Sequence, residues 1–151
     1  MVMTRKHRLM IFTILSLLIL SFIFGNSLQS REESSAQSRG IMDLLRPLLD
    51  PFGRLTEDEL HHFVRKLAHF TEFAALGFCL GGAALNTLWT GKKRIYLPML
   101  LSAMAAVTDE TIQAFTGRAC MARDMLLDTC GAVFGIGIVI AVIWVWKRAE
   151  S

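Results

Sequence analysis

Apolar residues along this chain fall into four runs, and charge enters those runs at only a few positions. Residues 9–25 hold no charge, 67–89 carry His69 and Glu72, 95–115 carry Asp109 and Glu110, and 125–146 carry Asp128. Each run approaches the ~20 residues that a helix needs to cross a bilayer. The pattern predicts an all-α membrane protein: a four-transmembrane-helix bundle with helices at about 9–28, 60–89, 95–116 and 124–146. No internal repeat or low-complexity tract divides the chain, so residues 1–151 read as a single domain.

An outer loop of about 29–59 separates the first two runs. The stretch NSLQSREESSAQSRG, residues 26–40, is polar and rich in Ser and Gln, and reads as the entry to that loop. In IMDLLRPLLDPFGRL, residues 41–55, apolar positions recur at helical spacing but are interrupted by Pro47 and Pro51. That predicts a short amphipathic helix lying at the membrane interface. TEDEL follows, with Thr56 as an N-cap and Glu59 three residues on, the pattern of a capping box.

Composition agrees with a membrane class: 53% of residues are hydrophobic, 19% are charged and the mean hydropathy is +0.45. The net charge of +3 is not a nucleic-acid signal, because the basic residues flank the apolar runs. Arg5, Lys6 and Arg8 precede the first run; Lys92, Lys93 and Arg94 lie between the second and third; Lys147 and Arg148 follow the fourth. The positive-inside rule places all three clusters in the cytoplasm, with both termini inside. The first run has the basic flank of a signal peptide, yet its exit, FGNSLQSREESS, offers no small-x-small cleavage site, which favours an uncleaved helix. Cys79 and Cys130 fall inside apolar runs and Cys120 in a loop, so no disulfide framework is implied.

Depth can be counted from the cytoplasmic ends at 1.5 Å per residue. Glu72 stands roughly 25 Å above Trp89, Asp109 roughly 22 Å and Gln113 roughly 28 Å above Arg94, and Asp128 roughly 27 Å above Trp146. Three helices therefore carry polar groups in one layer, just inside the outer boundary of a hydrocarbon core about 30 Å thick. The faces agree. His62, Arg65, His69 and Glu72 form one helical stripe; Ser102, Ala106, Asp109 and Gln113 form a second; Asp124, Asp128, Gly131 and Gly135 form a third. The Gly131–Gly135 step allows a neighbouring helix to approach closely, so the two aspartates on that face should point at it. Gly77 and Gly81 give the second helix a similar option on a slightly rotated face.

Three blocks, RKLAHFTEFAALG (65–77), DETIQAFTGR (109–118) and DMLLDTCGAVFG (124–135), resemble the signature blocks of VanZ-like membrane proteins, and FGNSLQS at the end of the first run is similar to the same family. The resemblance spans about residues 22–137. It matches Arg65, Lys66, His69 and Glu72; then Asp109, Glu110, Gln113, Phe115, Gly117 and Arg118; then Asp124, Asp128, Gly131 and Gly135. Thr116 departs from it, since many relatives have Pro before the Gly-Arg pair. The resemblance implies an integral protein of the bacterial envelope, in a family whose founding member is associated with resistance to teicoplanin, a lipid-bearing glycopeptide.

Several functions fit these residues. Arg65, Lys66, Arg118 and Arg123 nearly balance Glu72, Asp109, Glu110, Asp124 and Asp128, and could simply lock the helices in register. Five carboxylates and a histidine exceed what packing needs, which favours an outward-facing pocket for a lipid headgroup, a lipid-linked envelope precursor or a lipoglycopeptide. Its binding set is Arg65, Lys66, His69, Glu72, Asp109, Glu110, Gln113, Arg118, Asp124 and Asp128, with the arginines holding phosphate or carboxylate. An enzyme acting on a lipid-linked phosphate would use His69 as acid or base with Glu72 or Asp109 as its partner. A divalent metal bridged by His69, Glu72, Asp109 and Asp128 is a variant of that reading. No strict metal-ligand spacing supports it, so no metal or cofactor is expected. A proton path is disfavoured because the carboxylates stop near one surface. Membrane lipids are the expected partners, nucleic acid is not, and self-association stays open.

Overall fold

The computed structural model describes residues 4–50, 53–118 and 121–149. They form five helices and no strand: α1 (Arg5–Ser27), α2 (Arg31–Leu49), α3 (Glu57–Leu85), α4 (Lys93–Phe115) and α5 (Ala122–Ala149). Four of them, all but α2, are long and apolar enough to cross a membrane. The lipid-facing character is visible on their outer sides, where Leu17, Leu18, Phe22, Met104, Leu126 and Val142 are each more than half exposed. Such a surface suits hydrocarbon and would be a liability in water.

Two boundaries differ from the sequence reading. The outer segment is not a loop leading to a short helix. It is a 19-residue helix that begins at Arg31 and takes in the polar stretch. The cause is a capping box: the Ser30 hydroxyl accepts from the Glu33 amide at 3.3 Å, and the Glu33 carboxylate accepts from the Ser30 amide at 3.0 Å. Glu32 and Glu33 also sit in the first turn, where negative charge opposes the positive end of the helix dipole. Pro47 falls in the last turn, so α2 continues only to Leu49; Pro51 lies outside the described residues, as does Cys120. The second difference is the end of α3 at Leu85, not Trp89. Glu72 then stands thirteen residues above the helix end, roughly 20 Å, somewhat lower than the sequence count placed it.

The capping box at Thr56 and Glu59 forms as expected and starts α3 at Glu57. Before it, the Asp50 carboxylate accepts from the amides of Arg54 and Leu55 at 2.8 and 3.0 Å, bonds that hold its pKa below the ordinary carboxylate range. Met42 and Leu49 of α2 pack on Leu60 and Val64, which fastens the amphipathic helix to the entry of α3. Exposed Leu44 and Leu48 point away from that contact, as an interfacial helix requires. At the opposite end of α3, the guanidinium groups of Arg5 and Arg8 donate to the backbone and side-chain oxygens of Asn86 at 2.9 and 3.0 Å. Cations there complement the negative end of α3's dipole.

α3 touches all four other helices and is the axis of the bundle. Its contact with α5 is the most intimate. A Cβ added at Gly135 would lie 1.9 Å from the Ala74 carbonyl oxygen, one at Gly131 2.5 Å from that of Phe70, and one at Gly77 2.0 Å from that of Ala132. Three glycines, two on one helix and one on the other, thus let two backbones meet directly. In lipid, where no hydrophobic effect drives helices together, close packing of this kind is a main source of association. Gly81 meets Ile136 only at ordinary contact distance, so Gly77 carries α3's side of the interface. Below the polar layer, Ile23, Phe73, Leu76, Ala105, Ala106 and Ala132 close the core.

Substituting Gly135→Ala should therefore force α3 and α5 apart and lower stability by roughly 1–3 kcal/mol, the usual cost of overpacking. Gly137→Ala, whose Cβ meets nothing within 4 Å, is the control and should leave the melting temperature in detergent unchanged or slightly higher. Equal melting of the two variants would contradict this account of the interface.

Candidate functional site

The site is assembled at the α2 end of the bundle, where the close approach of α3 and α5 ends and polar side chains replace glycine. Asp124, Asp128, Gly131 and Gly135 share one face of α5, and that face is turned on α3 as the spacing predicts. Lys66 of α3 forms an ion pair with Asp124 of α5, and Asp128, one turn further, is 1% exposed. On α4, Ser102, Ala106, Asp109 and Gln113 are all buried.

α1 also takes part, which the charge pattern did not reveal. The Ser27 hydroxyl donates to Asp109 at 2.5 Å, Gln113 donates to the other Asp109 oxygen at 2.6 Å, and Asn26 donates to Glu72 at 3.3 Å. Both α1 residues are uncharged and sit at the end of the run, so a search for ionisable residues passes over them. The FGNSLQS block is the one signal that marked them.

Two local structures aim the remaining groups. At the end of α4, the Gly117 amide donates to Ala114 and the Arg118 amide to Gln113, at 3.4 and 3.0 Å. This is a Schellman motif, and it requires the left-handed conformation seen at Gly117, φ +76°. The turn carries Arg118 back over the bundle, where its guanidinium donates to the Asn26 carbonyl at 3.5 Å and is buried. Thr116, the departure from the VanZ-like pattern, uses its hydroxyl to donate to the carbonyl oxygens of Ser27 and Gln113 at 3.1 and 3.0 Å, tying the α4 end to the α1 end. Across the turn, the Glu110 carboxylate accepts from the Met121 amide at 3.0 Å. A buried acid of α4 thereby satisfies an orphan donor at the start of α5.

Arg65, His69, Glu72 and Arg118 line a cleft with Asn26 and the apolar Phe22, Ile41, Val64 and Ala68. Its volume is about 110 Å³. Drug-sized ligands occupy pockets of roughly 300–1,000 Å³, so this cleft admits a group of phosphate or carboxylate size and not a whole glycopeptide. Burial, and then the like charge of Arg65, push the pKa of Arg118 below its ordinary value. Asp109, Glu110 and Glu72 act on the same guanidinium in the opposite sense.

His69 faces both ways. It lines the cleft, and its Nδ1 lies 3.9 Å from Asp109 Oδ2. That distance is beyond hydrogen-bond reach, and among the described residues the buried Nδ1 has no hydrogen-bond partner. Of the predicted set, Asp109, Glu110, Gln113 and Asp124 are engaged inside the protein, whereas Arg65, His69, Glu72 and Arg118 reach the cleft. His62 of the α3 stripe is exposed and away from it.

The fold and this cluster define a multi-pass helical membrane protein whose polar site is built where four spans converge. The chain matches the VanZ/LLP1 family over residues 12–145, nearly its whole length, and belongs to that family. No curated protein and no solved structure matches it.

Removing the Ser27 hydroxyl tests the α1 contribution. Ser27→Ala should cost about 1–3 kcal/mol, the penalty for depriving a buried acceptor of its donor, while Ser21→Ala at an exposed position should cost nothing measurable. Thermal melts of the two variants in the same detergent decide between a structural part for α1 and none.

Proposed function

We propose that the cleft between Arg65 and Arg118 binds the anionic headgroup of a membrane lipid or lipid-linked envelope precursor on the outer face of a bacterial membrane. Any contribution to teicoplanin-type resistance would run through that headgroup, for example by altering what the antibiotic meets at the surface. The observation that carries the reading is the convergence of two guanidinium groups on a small cleft lined in part by polar Asn26, Gln29, His69 and Glu72 and in part by apolar side chains. Guanidinium matches phosphate and carboxylate in geometry, and the apolar walls lie against lipid where acyl chains would remain. The cleft's small volume favours a headgroup over an intact lipoglycopeptide.

Orientation supports the same side. With Arg5, Lys6 and Arg8, the Lys92–Arg94 cluster, and Lys147 with Arg148 in the cytoplasm, the α2 end and its cleft face outward. An enzymatic reading would need an oriented base, and His69 makes no hydrogen bond to Asp109 or to any other carboxylate among the described residues. The internally engaged groups, Ser27 with Asp109 and Gln113, Lys66 with Asp124, and Glu110 with Met121, form the scaffold that holds the cleft open.

Native mass spectrometry of the full chain in mild detergent tests this reading. Wild type should carry an anionic lipid or polyprenyl phosphate, and its mass distinguishes the two sources. Arg118→Gln should lower affinity for added undecaprenyl phosphate about tenfold or more, as expected for loss of a charge-assisted hydrogen bond. A wild type that binds phosphatidylcholine as well as it binds anionic lipids, with Arg118→Gln unchanged, would sink the proposal.

A further inference from the structure

We propose that His69, Asp109 and Asp128, brought together from α3, α4 and α5, form a site for a divalent metal ion, with zinc or manganese as the class that fits the donors. Each residue offers a ligand atom, and all three atoms lie within 4.8 Å of one another. Donors bound to one such ion at 2.0–2.2 Å in tetrahedral geometry stand about 3.4 Å apart. The His69–Asp109 separation of 3.9 Å is about 0.5 Å from that spacing, and no pair, all lying within 4.8 Å, needs to close by more than roughly 1.4 Å.

Acidic clusters are common without metals, so the decisive observation is Asp128. It is 1% exposed, and among the described residues neither of its carboxylate oxygens has a hydrogen-bond partner. The buried Nδ1 of His69 is in the same position. A buried carboxylate without a partner is costly in either protonation state, since an O–H also needs an acceptor. A cation at the centre of the three donors satisfies both orphans at once.

Charge and support point the same way. Once Lys66 is paired with Asp124, the buried charged side chains of the layer are Asp109, Glu110 and Asp128 against Arg118. That formal excess of two negative charges, with the carboxylates ionised, is what a divalent ion would neutralise. Asp109 is held by Ser27 and Gln113, the hydrogen-bonded outer shell that metal-binding carboxylates have. Its Oδ2 keeps a second lone pair beside the bond from Gln113. One imidazole with two carboxylates suits zinc or manganese better than calcium or magnesium, which prefer oxygen alone. Three protein donors leave at least one coordination position for water or an anionic oxygen. The site differs from the anion cleft in that neither Arg65 nor Arg118 is among its ligands, while His69 borders both.

The test uses the full chain in detergent, stripped with EDTA, reloaded with ZnCl2 or MnCl2, desalted and assayed for metal content. Wild type should retain close to one ion per chain; Asp128→Asn and His69→Ala should lose it, and Arg118→Gln should keep it. Where those variants do not fold, pulsed electron paramagnetic resonance of Mn²⁺-loaded wild type decides, and it should show a directly bound imidazole nitrogen. A wild type that retains no ion, an ion that survives Asp128→Asn, or bound Mn²⁺ without nitrogen coupling would each overturn the site. Lipid retention by Asp128→Asn, read in the same spectra as the headgroup test, separates failure of this proposal from failure of the cleft.

Discussion

The contact on which this structure depends is the meeting of two backbones without side chains between them. Gly131 and Gly135 of α5 lie against the Phe70 and Ala74 carbonyls of α3, and Gly77 of α3 lies against Ala132. In a bilayer the helices gain nothing from escaping water, so association must come from packing and from polar contacts. The glycines supply the packing, and they also fix the distance at which everything further along the two helices meets. One turn beyond Gly131 on the same face is Asp128, and one turn beyond that is Asp124, paired with Lys66. A pair of helices held at a wider spacing would leave water or lipid between those groups.

The polar layer follows from that constraint. Carboxylates at membrane depth are tolerated only where the protein surrounds them, and each one here is provided for differently. Asp109 has two side-chain donors, Glu110 caps the start of α5, Asp124 has Lys66, and Glu72 has Asn26. Asp128 stands apart in having none among the described residues. It shares that state with the Nδ1 of neighbouring His69.

Much of this was legible in the residues. Four charge-free or nearly charge-free runs gave the spans, and +3/+4 stripes placed the polar residues of α3, α4 and α5 on inward faces. The glycine step on α5 predicted a close neighbour and the direction of its aspartates. What escaped did so for physical reasons. Asn26 and Ser27 are neutral and common, so their part depends on where α1 ends relative to α4, which is a tertiary fact. The polar stretch at 31–40 read as loop because its residues lack an apolar stripe, whereas the Ser30–Glu33 box and the packing of Met42 and Leu49 on α3 make it helical. A metal set of His69, Glu72, Asp109 and Asp128 was named from the residues and set aside for want of a linear motif, which donors spread over three helices cannot leave.

Cleft and cluster share His69, and that has a consequence for how the protein can work. The imidazole edge that lines the cleft belongs to the ring whose Nδ1 faces Asp109. A ligand in the proposed cleft would press on that edge and change the donor geometry behind it, and an ion at Nδ1 would fix the ring that the ligand meets. The two proposed sites would then be coupled by one side chain, and thermodynamic linkage makes any such coupling reciprocal. Arg118 adds a second constraint from above, since its position depends on Gly117 adopting a left-handed turn that other residues resist. The site is thus held at three points that do not share a helix: the glycine contact of α3 with α5, the turn after α4 and the polar end of α1.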